Sequence, residues 1–146
     1  MYKYRHPRPA VSVDIVLFQI LPQGTNILLI RRARAPFQGY YALPGGFVNI
    51  DEPLEAAARR ELKEETGLDA ADLHQIHTFG APDRDPRGRV ISVAYAGTLG
   101  AEIETEPKAA SDADRAGWFD IHKLPPLAFD HQQIIQKALQ SMGLTD

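Results

Sequence analysis

The chain is predicted to fold as an α/β domain in which a mixed β-sheet lies between helices. Apolar runs rich in β-branched residues predict buried strands at residues 10–21 and 90–99. Two stretches of helix-forming composition, residues 54–66 and 131–142, are each followed by a glycine. The order of strands, helix, strands and helix along the chain favours a sheet covered by helices.

Composition favours one globular domain spanning residues 1–146. Apolar residues make up 44% of the chain and charged residues 24%, which are ordinary values for a soluble protein. The net charge of −3, without a basic stripe, argues against nucleic acid as a partner. There is no cysteine, no apolar run of membrane-spanning length and no signal-peptide pattern. We therefore expect a cytoplasmic protein with no membrane partner.

The first elements are predicted to form a β-hairpin. Residues 10–21 are mostly apolar, which predicts a strand buried on both faces. Residues 22–25 contain proline and glycine and predict a turn, after which residues 26–32 return as a second strand. Asp14 lies within the first strand, either at an edge or as a hydrogen-bonded interior acid.

A helix is predicted next, at residues 54–66. Asp51 is the predicted N-cap, Pro53 suits the first turn, and Gly67 suits a left-handed stop. The residues between them are mostly alanine, leucine, glutamate, arginine and lysine, which are strong helix formers.

The second half of the chain is predicted to add strands and a final helix. The predicted strands are residues 74–79, 90–99 and 116–121. The last helix is predicted from about residue 131 to residue 142, with Asp130 as its N-cap and Gly143 as its stop.

The charges of the first predicted helix are unusually placed. At about 100° per residue, its apolar side also carries three carboxylates, Glu61, Glu64 and Glu65. Like charges on one face destabilise a helix, and their burial is unfavourable unless a cation compensates them. Clustered carboxylate oxygens suit hard divalent cations, Mg²⁺ above all. The plainer alternative is an exposed acidic face tied by pairs such as Arg60 with Glu64.

The spacing of these residues decides between the two interpretations. Five residues separate Gly46 from Glu52, and seven separate Glu52 from Arg60. The acids Glu61, Glu64 and Glu65 follow that arginine. Chance agreement with such a pattern is on the order of one in a billion per window. The spacing resembles the Nudix box at each defined position, here Gly46, Glu52, Arg60, Glu61, Leu62, Glu64, Glu65, Gly67 and Leu68.

This resemblance implies a Nudix-type α/β/α sandwich with a mixed β-sheet, and a hydrolase. Nudix enzymes use divalent metal and water to cleave a pyrophosphate within a nucleoside diphosphate linked to another group. The resemblance implies Mg²⁺ or Mn²⁺ as cofactor, with catalytic parts for Glu61 and Glu64. Glu52 and Arg60 match the positions that support the metal ligands. The implied ligands are the Gly45 carbonyl, Glu61, Glu64 and Glu65.

The residue that takes the proton of the attacking water stays open at this point. In Nudix enzymes, which the chain resembles, this role belongs to a box glutamate or to an acid from a later loop. Asp112 and Asp114 are the loop candidates in this chain. A solvated turn is the alternative explanation for both residues.

Candidate substrate contacts lie on both sides of the box. Arg31, Arg32 and Arg34 follow the second strand and either meet substrate phosphates or are solvated there. Phe37 and Tyr40 either stack on a base or pack against the protein.

A polar loop is predicted at residues 80–89. Its arginines, Arg84, Arg87 and Arg89, either meet phosphate or pair with neighbouring aspartates at the surface.

Two further segments resemble the ADP-ribose pyrophosphatase-like branch of the Nudix superfamily, at residues 78–95 and 124–131. This implies a small-molecule nucleotide diphosphate substrate, with ADP-ribose split to AMP and ribose 5-phosphate. The alternatives are a non-catalytic module that senses ADP-ribose or a related nucleotide, and a sanitising hydrolase of modified nucleoside triphosphates. Many relatives are homodimers, so we expect a homodimer.

Overall fold

A computed structural model describes residues 2–70, 72–99 and 113–144, with side chains described throughout except at residues 113 and 114. The helices are α1 (Leu54–Thr66) and α2 (His131–Ser141). The strands are β1 (Ala10–Leu21), β2 (Gly24–Arg32), β3 (Tyr41–Ala42), β4 (Gly45–Phe47), β5 (His74–Phe79), β6 (Val90–Leu99) and β7 (Ala113–Asp120).

One mixed sheet contains all of these strands. At its centre β1 and β6 run parallel, from Ala10 opposite Val90 to Gln19 opposite Leu99. β1 also pairs antiparallel with β2 through its last residues and with β4 near its start. β3 and β7 flank β2, and β5 forms the other edge beside β6. The mixed sheet confirms the predicted α/β class and brings β4 directly against the central strand.

The core lies on both faces of this sheet. Val13, Ile15 and Leu17 of β1 pack towards α1. Val16 and Phe18 of the same strand pack towards α2. All five side chains are fully buried, and each contributes roughly 1.5–3 kcal/mol of stability. The burial of β1 on both faces confirms the sequence prediction and gives the expected sandwich of helix, sheet and helix.

The helix α1 has the predicted bounds, but its predicted N-cap is wrong. Pro53 occupies the N-cap position in an extended conformation, without a side-chain cap hydrogen bond. The nearby Glu52 carboxylate accepts a hydrogen bond from the Asn49 N–H at 3.1 Å instead, which closes the preceding turn. The stop is as predicted, since Gly67 has a φ of 76° in the left-handed region.

The helix α2 ends at Ser141, one residue before the predicted end. Asp130 occupies its N-cap position as predicted, but the carboxylate makes no cap hydrogen bond. That carboxylate instead accepts two hydrogen bonds from Arg84, a long-range partner that local sequence does not reveal. Within the described ranges, neither helix is long and apolar enough to cross a membrane.

Two short strands, β3 and β4, were not predicted. The run of proline and glycines at residues 44–46 has the composition of a turn, yet residues 45–47 pair with β1. The pairing continues outside the strand, where the Ile15 N–H donates to the Pro44 carbonyl at 2.8 Å. The strand β7 begins at residue 113, three residues before the predicted start, because its pairing with β2 extends that far.

Candidate active site

The candidate site forms where α1 lies beside β4. Glu65 is buried, and its Oε1 accepts a hydrogen bond from the Gly45 N–H at 2.7 Å. Glu61 packs against Gly46, so that a Cβ on that glycine would lie 2.5 Å from the Glu61 Cδ. The helix thereby places two predicted metal-binding carboxylates along the glycine pair.

The two glycines are required by different neighbours. A Cβ on Gly45 would lie 2.2 Å from the Val13 carbonyl oxygen and 2.7 Å from Asp14 Oδ1. Gly45 is therefore needed for the approach of β4 to the backbone of β1. Gly46 is needed for the approach of β4 to the carboxylate of Glu61.

Arg60 holds the acidic residues of the site together. Its Nε and one terminal nitrogen donate to both oxygens of Glu52, at 2.6 and 2.9 Å. The other terminal nitrogen donates to Glu61 at 2.7 Å and to Glu64 at 3.1 Å. The guanidinium also donates to the Phe47 carbonyl oxygen at 3.1 Å. Three acidic residues of the predicted box are thus joined by one cation.

Burial and the charge of Arg60 have opposite effects on the pKa values of Glu52 and Glu61. The hydrogen bonds from Arg60 hold the pKa of Glu52 below its ordinary value. Burial raises the pKa of Glu61 above its ordinary value, against the opposing effect of Arg60, and the charges of Glu64 and Glu52 add to this rise. The ionised form of Glu61 is therefore under-compensated by the protein's own cations.

Glu64 does not face the interior as the helical arc suggested. Its side chain is 51% exposed, because it lies at the solvent edge of the arc beside Arg60. Across the described residues, no group of three or more His, Cys, Asp or Glu side chains is arranged to hold a metal ion. The donor chemistry nevertheless fits a hard divalent cation, since the candidates are carboxylate and carbonyl oxygens around an under-compensated charge. The four metal ligands stay a prediction.

A cavity of about 310 Å³ opens beside the glycine pair. Glu65 and both glycines line one side of it. Its remaining polar wall contains four arginines, together with His131, Ser12 and two acids. The arginines are Arg32, Arg34, Arg84 and Arg87, and the acids are Asp14 and Asp85. The structure therefore joins the acidic box to four of the arginines that sequence reasoning proposed as substrate contacts, Arg32, Arg34, Arg84 and Arg87.

Arg87 is fixed at the cavity but keeps part of its surface accessible. Its Nε and one terminal nitrogen donate to the buried Asp85, at 3.0 and 2.7 Å. The guanidinium carbon lies 5.1 Å from the ring centre of Phe47 and 5.2 Å from that of Phe129. The side chain remains 41% exposed. This pair matches the proposed Asp85–Arg pairing, except that Asp85 is buried rather than at the surface.

Arg84 is enclosed more completely than its polar loop suggested. The side chain is 4% exposed and donates to both oxygens of Asp130, at 2.9 and 2.6 Å. A second acid, Asp14, lies 4.0 Å away. The role of Arg84 as a substrate contact stays a prediction, since its guanidinium already binds Asp130 at the start of α2.

Phe129 was not proposed as a site residue from the sequence. It has a φ of 52°, which is uncommon for a bulky residue, and it lines the cavity. The guanidinium carbon of Arg32 lies 5.0 Å from the ring centre of Phe129, which Arg87 also approaches. The resemblance of residues 124–131 to the ADP-ribose branch was the one signal that could have singled it out.

The other proposed contacts lie differently. The ring centre of Phe37 lies 4.9 Å from that of Phe129 and 5.6 Å from that of Tyr40. Phe37 itself does not line the cavity. Arg31 lies in β2, between Tyr41 and Arg115, and is not part of the cavity wall. Both stay predictions as substrate contacts.

The alternative general bases fall at the edge of the described chain. Asp112 lies outside the described residues, and Asp114 is described by its backbone alone, within β7. Both therefore stay predictions.

Comparison with known proteins gives a family match over most of the chain. The family model described as the NUDIX domain matches residues 8–138. An ADP-ribose pyrophosphatase of Methanocaldococcus jannaschii is 46% identical over 136 residues, which are 92% of this chain and 76% of that protein.

Two further relatives are longer than this chain. The ADPR responsive transcriptional repressor NtrR of Acinetobacter baylyi is 34% identical over 145 residues, covering 97% of this chain and 57% of the repressor. The crystal structure of a bifunctional NMN adenylyltransferase/ADP ribose pyrophosphatase from Francisella tularensis, complexed with AMP and a Mn ion, superposes with a TM-score of 0.82. It is 28% identical, and the match covers 94% of this chain and 43% of that one.

Proposed function

Because this chain belongs to the Nudix family, we propose that it is a metal-dependent hydrolase that splits ADP-ribose into AMP and ribose 5-phosphate. In this reaction the oxygen of a water molecule forms a bond to one phosphorus of the pyrophosphate. The bridging P–O bond of that phosphorus breaks, and the bridging oxygen leaves with the other phosphate. The 46% identity to an ADP-ribose pyrophosphatase supports this choice of substrate.

The observation that carries the proposal is the acidic box at one side of a basic cavity. Arg32 and Arg87 border the space that a diphosphate would enter. Arginine binds phosphate oxygens through charge-assisted hydrogen bonds. Glu65 borders the same space and would repel the phosphates unless a cation lay between them. The arrangement therefore suits a diphosphate that is bound together with a divalent metal ion.

A bound Mg²⁺ or Mn²⁺ would neutralise charge on the phosphates and lower the pKa of a water molecule. Glu61, Glu64, Glu65 and the Gly45 carbonyl are the groups that would hold it. Arg60 keeps Glu61 and Glu64 within one hydrogen-bonded set, while Glu52 orients Arg60. The Mn ion in the Francisella tularensis structure supports a divalent metal of this kind.

We assign the general base to Glu64, with Asp112 as the alternative. Glu64 is the most exposed of the four box glutamates, so water has access to its carboxylate. Its contact with Arg60 keeps the carboxylate near the cluster. A general base must lie within reach of the water it deprotonates, which favours an exposed acid at the edge of the site.

A sensing function is the second candidate. The relative from Acinetobacter baylyi is an ADPR responsive repressor, and the match spans 57% of its length. A sensor requires affinity for the nucleotide without turnover. We favour the enzyme because the full acidic set and its supporting arginine are present, and because stabilisation of a leaving phosphate explains such a set. We further propose a homodimer, as the family resemblance implies, and a cytoplasmic location, which the lack of cysteine favours.

Binding and turnover of ADP-ribose should be measured side by side. Calorimetry gives the affinity, and product analysis with Mg²⁺, with Mn²⁺ and with a chelator gives the yield of AMP. We expect AMP and ribose 5-phosphate in equal amounts, and none when the chelator is present. Binding of ADP-ribose without AMP formation under each metal condition would support the sensor instead.

A further inference from the structure

The segment of residues 43–46, which carries the candidate carbonyl ligand, is fixed from both sides of the sheet. From α2, the Nδ1 of His131 accepts a hydrogen bond from the Leu43 N–H at 3.0 Å. From α1, the Glu65 carboxylate accepts one from the Gly45 N–H at 2.7 Å. Two helices therefore set the backbone of one short segment, each through a single side chain.

The imidazole of His131 has a defined protonation state in this arrangement. An Nδ1 that accepts a hydrogen bond carries no proton, so a neutral ring bears its proton on Nε2. That nitrogen lies 3.5 Å from Asp14 Oδ1. The side chain is 5% exposed. Burial also lowers the pKa of His131, which agrees with a neutral ring.

Further buried contacts hold the partners of this ring. The Ser92 hydroxyl donates to Asp14 Oδ2 from β6. Arg84 lies 4.0 Å from the same oxygen and is locked to Asp130, the residue before His131. These five side chains connect β1, β6, the loop after β5 and the start of α2, so the ring of His131 has little freedom to turn.

We propose that His131 is a positioning residue that orients the backbone of residues 43–46, and with it the Gly45 carbonyl, through the Leu43 N–H. The proposal rests on the metal-dependent hydrolysis proposed above. A carbonyl displaced by a fraction of an ångström binds a metal ion less well, and small misplacements in a site lower the rate strongly. His131 thus acts on the metal side of the reaction rather than on the substrate.

Two substitutions separate the two nitrogens of the ring. In His131→Asn the amide oxygen can take the place of Nδ1 and accept from Leu43, while the contact with Asp14 is lost. In His131→Gln the longer side chain can place its amide near Nε2, towards Asp14, while the acceptor for Leu43 is lost. The pair therefore tests which of the two contacts carries the effect.

Three measurements should distinguish the variants. Exchange of the Leu43 amide hydrogen, followed by NMR, should quicken about tenfold in the Gln variant and less than about threefold in the Asn variant. The concentration of Mn²⁺ that raises the thermal midpoint should rise in the Gln variant. With ADP-ribose, kcat should fall on the order of tenfold in the Gln variant with KM nearly unchanged, and the Asn variant should retain most of kcat.

Equal losses in the two variants, or unchanged Leu43 exchange in the Gln variant, would overturn the proposal. A rise in KM with kcat unchanged would also overturn it and make His131 a substrate contact. If the Gln variant does not fold, the Asn variant carries the test, because it keeps an acceptor for the Leu43 N–H. A rise of about tenfold in its Leu43 exchange, or a fall of about tenfold in its kcat, would then overturn the proposal. If the wild type yields no AMP, the proposed function fails, while amide exchange and Mn²⁺ binding still test His131.

Discussion

At the scale of single residues, the site depends on how arginines are shared among carboxylates. Arg60 donates to Glu52, Glu61 and Glu64, so one guanidinium organises most of the acidic set. The spacing of the box predicted this set, since the residues lie within two turns of one helix and the segment before it. It did not predict the exposure of Glu64, because that depends on what covers the helix.

Arg84 and Arg87 were equivalent in the sequence and are different in the structure. Replacing Arg84 by alanine leaves the Asp130 carboxylate, which is only 13% exposed, without its partner, and breaking a buried pair typically costs about 3–5 kcal/mol. Replacing Arg87, which is partly exposed at the cavity, should raise KM for ADP-ribose roughly tenfold at little cost in stability. Urea unfolding and steady-state kinetics measure the two effects.

Arg89→Ala is the matched control for this pair. Arg89 is exposed in the same loop, donates to the Gly80 carbonyl and does not line the cavity. Its replacement should leave KM unchanged. If Arg87→Ala matched Arg89→Ala in KM, Arg87 would have no role in binding phosphate.

At the scale of elements, sequence pattern predicted the long strands and the helices but not the short strands. Residues 10–21 form a long apolar, β-branched run, residues 54–66 are rich in helix formers, and their observed bounds match the prediction. The strand β4 escaped prediction because its glycines favour turns, and its pairing depends on β1, more than thirty residues earlier. For the same reason no local pattern indicated that His131 reaches Leu43.

The glycine pair of β4 gives an element-scale prediction. Gly45→Ala places a Cβ against the Val13 carbonyl, which is backbone and does not yield, so stability should fall by about 1–3 kcal/mol or more. Gly46→Ala meets the flexible end of Glu61, so the fold should persist while the carboxylate moves. We then expect kcat to fall on the order of tenfold.

Thermal unfolding and ADP-ribose kinetics of both glycine variants check these expectations. The thermal stability of Gly45→Ala is the reference with which the stability of Gly46→Ala is compared. A Gly46→Ala protein with wild-type kcat would show that the position of the Glu61 carboxylate has no bearing on turnover.

At the scale of the whole molecule, the helices on both faces of the sheet contribute residues to the site. The helix α1 supplies the acidic set from one face, and α2 supplies His131 from the other. The fold class and the box followed from the sequence. Only the structure showed that residues 43–46 connect these two layers, because the contacts involved join residues up to 88 positions apart.

Burial of His131 should make global stability depend on pH. Its folded pKa lies below its ordinary value of 6.5, so the unfolded chain binds a proton at this ring at higher pH than the folded chain does. This contribution to stability is therefore fully present above that value and is lost as the pH falls through it towards the lowered folded pKa. Asp14 and Asp130 oppose the lowering of this pKa, while Arg84 and Arg32 add to it.

Urea unfolding from about pH 8 to about pH 5 should show this loss in the wild type and a shallower one in His131→Asn. The raised pKa of Glu61 acts with the opposite sign at the lower end of this range, and subtracting the two curves removes it. His6→Asn, at an exposed histidine, is the control. Parallel curves for the wild type and His131→Asn would contradict a neutral, buried imidazole.

The central claim is that the acidic face of α1 catalyses hydrolysis. The most direct test compares the rate of AMP formation from ADP-ribose in Glu64→Gln and Glu55→Gln with saturating Mg²⁺. Glu55 lies on the opposite side of the same helix, exposed and 4.0 Å from Arg59. We expect kcat to fall about a hundredfold or more in Glu64→Gln with nucleotide binding retained, and to stay within about twofold of wild type in Glu55→Gln. Equal kcat values in the two variants would contradict the account.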